Sequence, residues 1–104
     1  MTTRQVRRTK TRRWDAAAYL ATPADIAAYL DAALADGDPV VVAAALGDIA
    51  RARGMTAVAR KAGLGRESLY KALSPQGNPE LATVLAVVQA LGLRLSASEA
   101  RPPR

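Results

Sequence analysis

Prolines and glycines recur along this chain at helix-length intervals, most of them beside a residue that caps a helix, and this punctuation limits the fold more than any other feature. Thr22-Pro23, Asp38-Pro39 and Asn78-Pro79 each join a side-chain acceptor to a proline suited to the first helical turn, while Gly37, Gly54, Gly63 and Gly92 stand where helices stop. The segment opened by Thr22 places Asp25 in its positive first turn and carries Ile26, Tyr29, Leu30, Ala33 and Leu34 at the spacing of one buried helical face. After Asp38-Pro39 the run Val40-Val41-Val42 alone suits a strand. The apolar pattern continues, however, through Leu46, Ile49 and Ala50 to Gly54, too far for a typical strand, and predicts a helix.

Two short helices are predicted next, over residues 56–62 and 66–73. Val58, Ala59 and Ala62 form the inner side of the first, and Leu69, Ala72 and Leu73 that of the second, where Gly65 is a weaker cap than serine. A last helix starts at Asn78-Pro79-Glu80, presents Leu81, Val84, Leu85, Val88 and Leu91, and closes at Gly92. A short helix over residues 15–20 precedes Thr22. Leu93-Arg94-Leu95-Ser96 alternates in polarity and predicts one short strand, which has no partner in this sequence and would pair with its counterpart in a second chain. The expected fold is all-α, a small domain of about six helices with one short C-terminal strand.

Chemistry is limited by what is missing. The 104 residues include no cysteine and no histidine, which removes disulfides, thiolate nucleophiles, Cys/His zinc sites and the commonest general base. No pair of acids falls in an apolar setting that would raise a pKa, so a carboxylate enzyme is set aside and no cofactor is expected. Asp36-Gly37-Asp38 with Asp48 lacks the ligand spacing of a calcium loop and reads as a helix stop and a cap, so no metal is expected; Gly63 and Gly65 fit no phosphate-loop spacing. The longest uncharged stretch, residues 81–93, falls short of the ~20 residues that span a bilayer. The basic start followed by AAAYLATPA imitates a signal peptide, but Asp15 precedes that stretch and Thr22-Pro23 interrupts it. A cytoplasmic protein is expected.

The formal charge of +6 is segregated. Residues 1–13 hold six bases (Arg4, Arg7, Arg8, Lys10, Arg12 and Arg13) and no acid. Residues 14–48 hold Asp15, Asp25, Asp31, Asp36, Asp38 and Asp48 and no base, whereas residues 49–78 hold Arg51, Arg53, Arg60, Lys61, Arg66 and Lys71 against Glu67 alone. One region suits a basic partner and the other a polyanion.

The two short helices carry a helix-turn-helix pattern. That unit needs a small residue where its helices cross, a residue tolerant of positive φ in the turn, and an aliphatic on the inner side of the second helix; Ala59, Gly63 and Leu69 supply these, with Val58 and Leu64 beside them. The outward side of the second helix holds Arg66, Glu67, Ser68, Tyr70 and Lys71, a set able to reach base edges and phosphates. Arg51 and Arg53 are candidate contacts to the DNA backbone. Tyr70 suits either stacking on a base or packing with its hydroxyl in water, and Trp14, Tyr19 and Tyr29 suit either the core or a partner.

WDAAAYL, DIAAYLDAAL, ALGDIARARGM, GRESLYKALSPQGNPEL and QALGLRL, spread over about four fifths of the chain, carry a resemblance. They are similar to the antidote proteins of bacterial addiction modules, antitoxins of HigA-like type with an Xre-like, lambda-repressor-like helix-turn-helix, encoded beside a small RelE-like or ParE-like toxin. Gly65 stands where serine is frequent in such turns, and Leu81 where a phenylalanine often follows the Asn-Pro-Glu step. The resemblance implies a homodimer that binds the operator of its own operon and neutralises its toxin by direct contact. On it, Arg66, Glu67, Ser68, Tyr70 and Lys71 lie on the recognition helix.

RelE-like toxins grip RNA with basic surfaces, so Asp25 and Asp31, with Asp15, Asp36 and Asp38, would steer the toxin while Trp14 and Tyr19 anchor it. The expected organisation is a flexible basic tail (1–13), an acidic toxin-facing helical segment (14–38), a DNA-binding domain (39–96) ending in a dimerising strand, and a frayed end (97–104). The rival readings are a stand-alone repressor of phage or chromosomal type and, beyond DNA binding, a protein adaptor whose basic helix is merely solvated.

Overall fold

Local capping chemistry sets the first two helices. In the computed structural model, which describes residues 20–100, α1 (Pro23–Asp36) starts at Thr22, whose hydroxyl accepts from the Asp25 N–H at 3.1 Å. α2 (Pro39–Arg53) starts at Asp38, whose carboxylate accepts from the Val40 N–H at 2.9 Å, and the Val40-Val41-Val42 run is helical within it. α3 (Met55–Ala62), α4 (Arg66–Ala72) and α5 (Leu81–Ala90) follow. The described residues thus hold five helices; the short helix expected over residues 15–20 lies outside them except for Leu20, which sits in a turn.

Two helices end in the same closure, for the same reason. Gly63 adopts φ 74° and donates to the Arg60 carbonyl, and the Leu64 N–H reaches the Ala59 carbonyl at 2.9 Å. Gly92, at φ 78°, donates to the Gln89 carbonyl while the Leu93 N–H reaches the Val88 carbonyl at 3.0 Å. Only glycine holds that left-handed position without a Cβ penalty, and in both places the next leucine is turned back onto the core.

A single apolar core joins all five helices. Ile26 of α1, Leu46 and Ile49 of α2, Leu69 of α4 and Val87 and Val88 of α5 are almost fully buried, with Val58 and Ala59 of α3 beside them. Leu20 is buried in the same cluster, so the core crosses the boundary drawn between residues 38 and 39. Each large aliphatic contributes roughly 1.5–3 kcal/mol by leaving water. The pairs α1 with α2 and α3 with α5 share the most extensive contacts, and α4 is held mainly through α3.

Four expectations are corrected. α5 begins at Leu81 with Glu80 before it and no side-chain cap, so Asn78 does not start the helix. Its buried side is Val87, Val88 and Leu91, while Leu81 and Leu85 are exposed; the segment is apolar almost all round, and packing against α3 selects the face. Leu34, expected on the buried face of α1, is also exposed, being near the helix end where the core has run out. Residues 93–96 form no strand: no neighbouring segment offers a hydrogen-bonding edge, and Leu93 and Leu95 rest half-buried on the core instead. No helix among the described residues is long and apolar enough to cross a membrane.

Candidate nucleic-acid interface

The three-residue turn Gly63-Leu64-Gly65 sets α4 against α3, with Leu69 wholly buried beneath it and Leu73 buried at its end. Gly65 precedes α4 in extended conformation with no side-chain bond to the first turn, as its lack of a side chain requires. With Leu69 and Leu73 turned inward, Arg66, Glu67, Ser68, Tyr70 and Lys71 are all exposed. The structure therefore brings these five expected residues together on one helix.

Four of them, Glu67, Ser68, Tyr70 and Lys71, line a shallow groove with Ser74. Ser74 was not singled out in the sequence; its hydroxyl donates to the Lys71 carbonyl at 2.8 Å, beside the Ser74 N–H that reaches the same oxygen at 3.3 Å, and so reinforces the helix end. Arg66 lies at the flank. Its guanidinium stands over the Tyr70 ring, 5.4 Å from the centroid, with one nitrogen 3.5 Å from the phenol oxygen, at the long limit of a hydrogen bond. Tyr70 stays 42 % exposed, so it is neither core nor buried anchor.

Behind α4 the chain folds back through Ser74-Pro75-Gln76-Gly77, closed by the Gly77 N–H donating to the Ser74 carbonyl at 2.8 Å. Serine, proline and glycine occupy the positions a type I turn favours. Gly77 presses against the end of α4: a Cβ there would overlap the Lys71 and Ala72 carbonyl oxygens and lie 2.8 Å from the Ala72 carbonyl carbon. The turn thus fixes the C-terminal end of the exposed helix.

The two arginines of α2 part company. Arg51 donates to Asp48 at 2.8 Å, and the other oxygen of that carboxylate accepts from the Tyr29 hydroxyl at 2.7 Å. Arg51 is therefore a compensated charge, beside the close approach of Gly47 to the Leu73 carbonyl. Arg53 instead lines a separate groove with Lys61 of α3, Pro23 of α1 and Gln89 of α5, where two positive charges meet. Tyr29 joins α1 to α2 rather than offering itself to a partner. Burial first, then the bond to Asp48 and that residue's charge, push its phenol up to about 12 against a weaker opposing effect of Arg51.

The expected acidic face is divided. Asp25 and Asp31 are both exposed on α1, but six residues of helix set them about 120° apart, so they do not share one side. Asp38 is bound to the start of α2 and Asp48 is held between Tyr29 and Arg51. Trp14, Tyr19 and Asp15, with the basic segment 1–13, lie outside the described residues.

Residues 10–99 match the family model described as "Probable addiction module antidote protein". The chain belongs to this family. An uncharacterised protein of Haemophilus influenzae is 46 % identical over 88 residues, which span 85 % of this chain and 91 % of that one. No solved structure matches. Family membership supports an antitoxin role of the addiction-module kind, and the matched segment contains the five described helices together with the turn that packs on α4.

Proposed function

We propose that the chain is the antitoxin of a type II toxin–antitoxin module, which neutralises a RelE-like or ParE-like toxin by direct binding and, as a homodimer, represses its own operon. In this reading α3 and α4 form a lambda-repressor-like helix-turn-helix of the HigA-like, Xre-like type. It acts in the cytoplasm, without catalysis. The observation that supports it most directly is the exposed set Arg66, Glu67, Ser68, Tyr70 and Lys71 on a helix held by a three-residue turn, in a chain of the antidote family. Arg66 and Lys71 supply positive charge for phosphates or guanine edges, Glu67 and Ser68 complete a mixed donor and acceptor set, and Tyr70 orders Arg66 by lying under it. Arg53 with Lys61 adds backbone attraction.

The deciding experiment measures binding of the full chain to the DNA upstream of its own gene and to a random duplex. Operator half-sites should be centred about 34 Å apart or a multiple of that distance. Arg66→Ala should lose ~1–3 kcal/mol at the cognate site and relax its preference, whereas Arg53→Ala should weaken every sequence alike. Equal affinity for both duplexes, or an equal loss on both for Arg66→Ala, refutes the DNA-binding assignment. For the toxin, Trp14→Ala should speed release, and Asp25→Asn, on the side of α1 away from Asp31, should slow association and flatten its salt dependence. A gene with no toxin-sized reading frame beside it would favour a stand-alone repressor.

A further inference from the structure

A groove runs along one flank of α1, opposite in character to the basic surfaces above. Leu30, Asp31 and Leu34 of α1 line one side and Leu93, Arg94 and Leu95 the other, with Ala27 and Ala28 keeping it open. Leu34 is 40 % exposed there, an apolar side chain with nothing over it among the described residues. The opposite wall is backbone in search of partners. The closure at Gly92 ends with the Leu93 N–H, and beyond it no backbone group of residues 94–100 bonds to another backbone group of the described chain. Burial alternates from Leu93 to Ser96 with the period of a strand, Leu93 and Leu95 inward, Arg94 and Ser96 outward. Asp31 and Arg94 bring one charge of each sign to the same groove, and neither takes part in an ion pair among the described residues.

We infer that this groove is the interface with a second copy of the chain, packed about a two-fold axis with residues 93–96 of the two copies paired antiparallel and Asp31 of each copy opposite Arg94 of the other. A two-fold interface uses the same patch twice, so the patch must complement itself. Here apolar surface meets apolar surface, an unpaired backbone edge meets its own kind, and the acid meets the base. An edge of this sort is also a template for strand addition. A basic partner would gain nothing at this spot, since Arg94 offsets Asp31, while the other aspartates of α1 lie elsewhere on the helix. The inference rests on the homodimer of the proposed function and assigns its contact face.

The test is the mass of the full-length chain by sedimentation equilibrium, without DNA or toxin. The wild-type chain should be dimeric. Asp31→Arg and Arg94→Asp, each alone, should raise the dimer Kd by about tenfold or more, because like charges then face each other twice. An equimolar mixture of these two variants should restore association between unlike chains, since every contact again joins opposite charges. A contact within one chain would be repaired by the double substitution but not by mixing, so failure of the mixture overturns the inference. Leu34→Asp, on an exposed side chain, should dissociate the dimer with an unchanged far-ultraviolet circular dichroism spectrum. A dimer indifferent to all three substitutions overturns the contact face and leaves the homodimer standing, and a monomeric wild-type chain overturns both. Operator binding, measured separately, fails or holds on its own.

Discussion

Replacing Gly77 by alanine should unseat the turn that holds the end of α4. The added methyl would overlap two carbonyl oxygens and stand 2.8 Å from the Ala72 carbonyl carbon, and backbone atoms cannot swing aside as a flexible side chain would. Either the Ser74-Pro75-Gln76-Gly77 turn opens, losing its 2.8 Å bond, or the last turn of α4 shifts. Overpacking of this kind costs about 1–3 kcal/mol. In a domain of this length each kcal/mol lowers Tm by roughly 4–8 °C. Gly65→Ser provides the opposite sign at a neighbouring glycine. Gly65 has φ −70° and ψ 150°, the extended conformation of a helix cap, and a Cβ there meets only the Ser68 side-chain oxygen at 3.8 Å. Serine would supply the missing cap and reduce the freedom of the unfolded chain, a gain of about 0.5–1 kcal/mol. Denaturant unfolding followed by circular dichroism measures both. A Gly77→Ala midpoint equal to that of the wild type would show that the turn does not pack on α4, and a destabilised Gly65→Ser would refute the account of the open cap.

Val87→Ala should cost about 2 kcal/mol and Leu85→Ala within about 0.5 kcal/mol, because Val87 is wholly buried and Leu85 exposed; denaturant midpoints that reverse this order would restore the sequence-predicted face of α5. Leu69→Ala should cost about 2–5 kcal/mol, read by the same unfolding assay, since it empties the space under the exposed helix. In a spectrophotometric titration one tyrosine should ionise near pH 12 and vanish in Tyr29→Phe. Because that pKa is raised from the usual 10.0, the folded state holds the proton more tightly than the unfolded chain, so the stability tied to it is full below pH 10 and is lost as the pH rises toward 12, the window in which only the folded state keeps the proton; an unchanged titration in Tyr29→Phe would refute the assignment.

What the sequence made legible was local chemistry. Thr22, Asp38, Gly63 and Gly92 act within a few residues of themselves, so their roles needed no tertiary information. The outward set on α4 was equally readable, because burying Leu69 leaves the other sides of a short helix exposed. The errors fall where two solutions were locally equivalent. Leu81, Val84, Leu85, Val87, Val88 and Leu91 surround α5, and only contact with α3 decides which of them go inside. The alternation of residues 93–96 reported an extended path truly enough, but a strand exists only where another edge is present. The pairing of Asp48 with Arg51 was visible as an i, i+3 spacing, whereas the Tyr29 hydroxyl that completes it comes from another helix.

That three-membered contact bears on how the two proposed activities coexist. α1 carries the acidic residues assigned to the toxin and α4 the residues assigned to DNA, and α2 lies against α1 through Asp48 and against the end of α4 through Gly47. A toxin that pulled α1 away would break the Tyr29 bond and open one oxygen of Asp48 to the solvent, while the Asp48–Arg51 pair within α2 stayed in place. A toxin that left α1 in place would alter DNA binding only by its bulk or its charge. The phenol of Tyr29 distinguishes these cases, because its high pKa exists only while α1 and α2 are packed together. Titrating the chain with its toxin bound should leave the late-ionising tyrosine in place if the core acts as one body. Loss of that component on binding would show instead that neutralisation and repression are coupled by opening the α1–α2 contact.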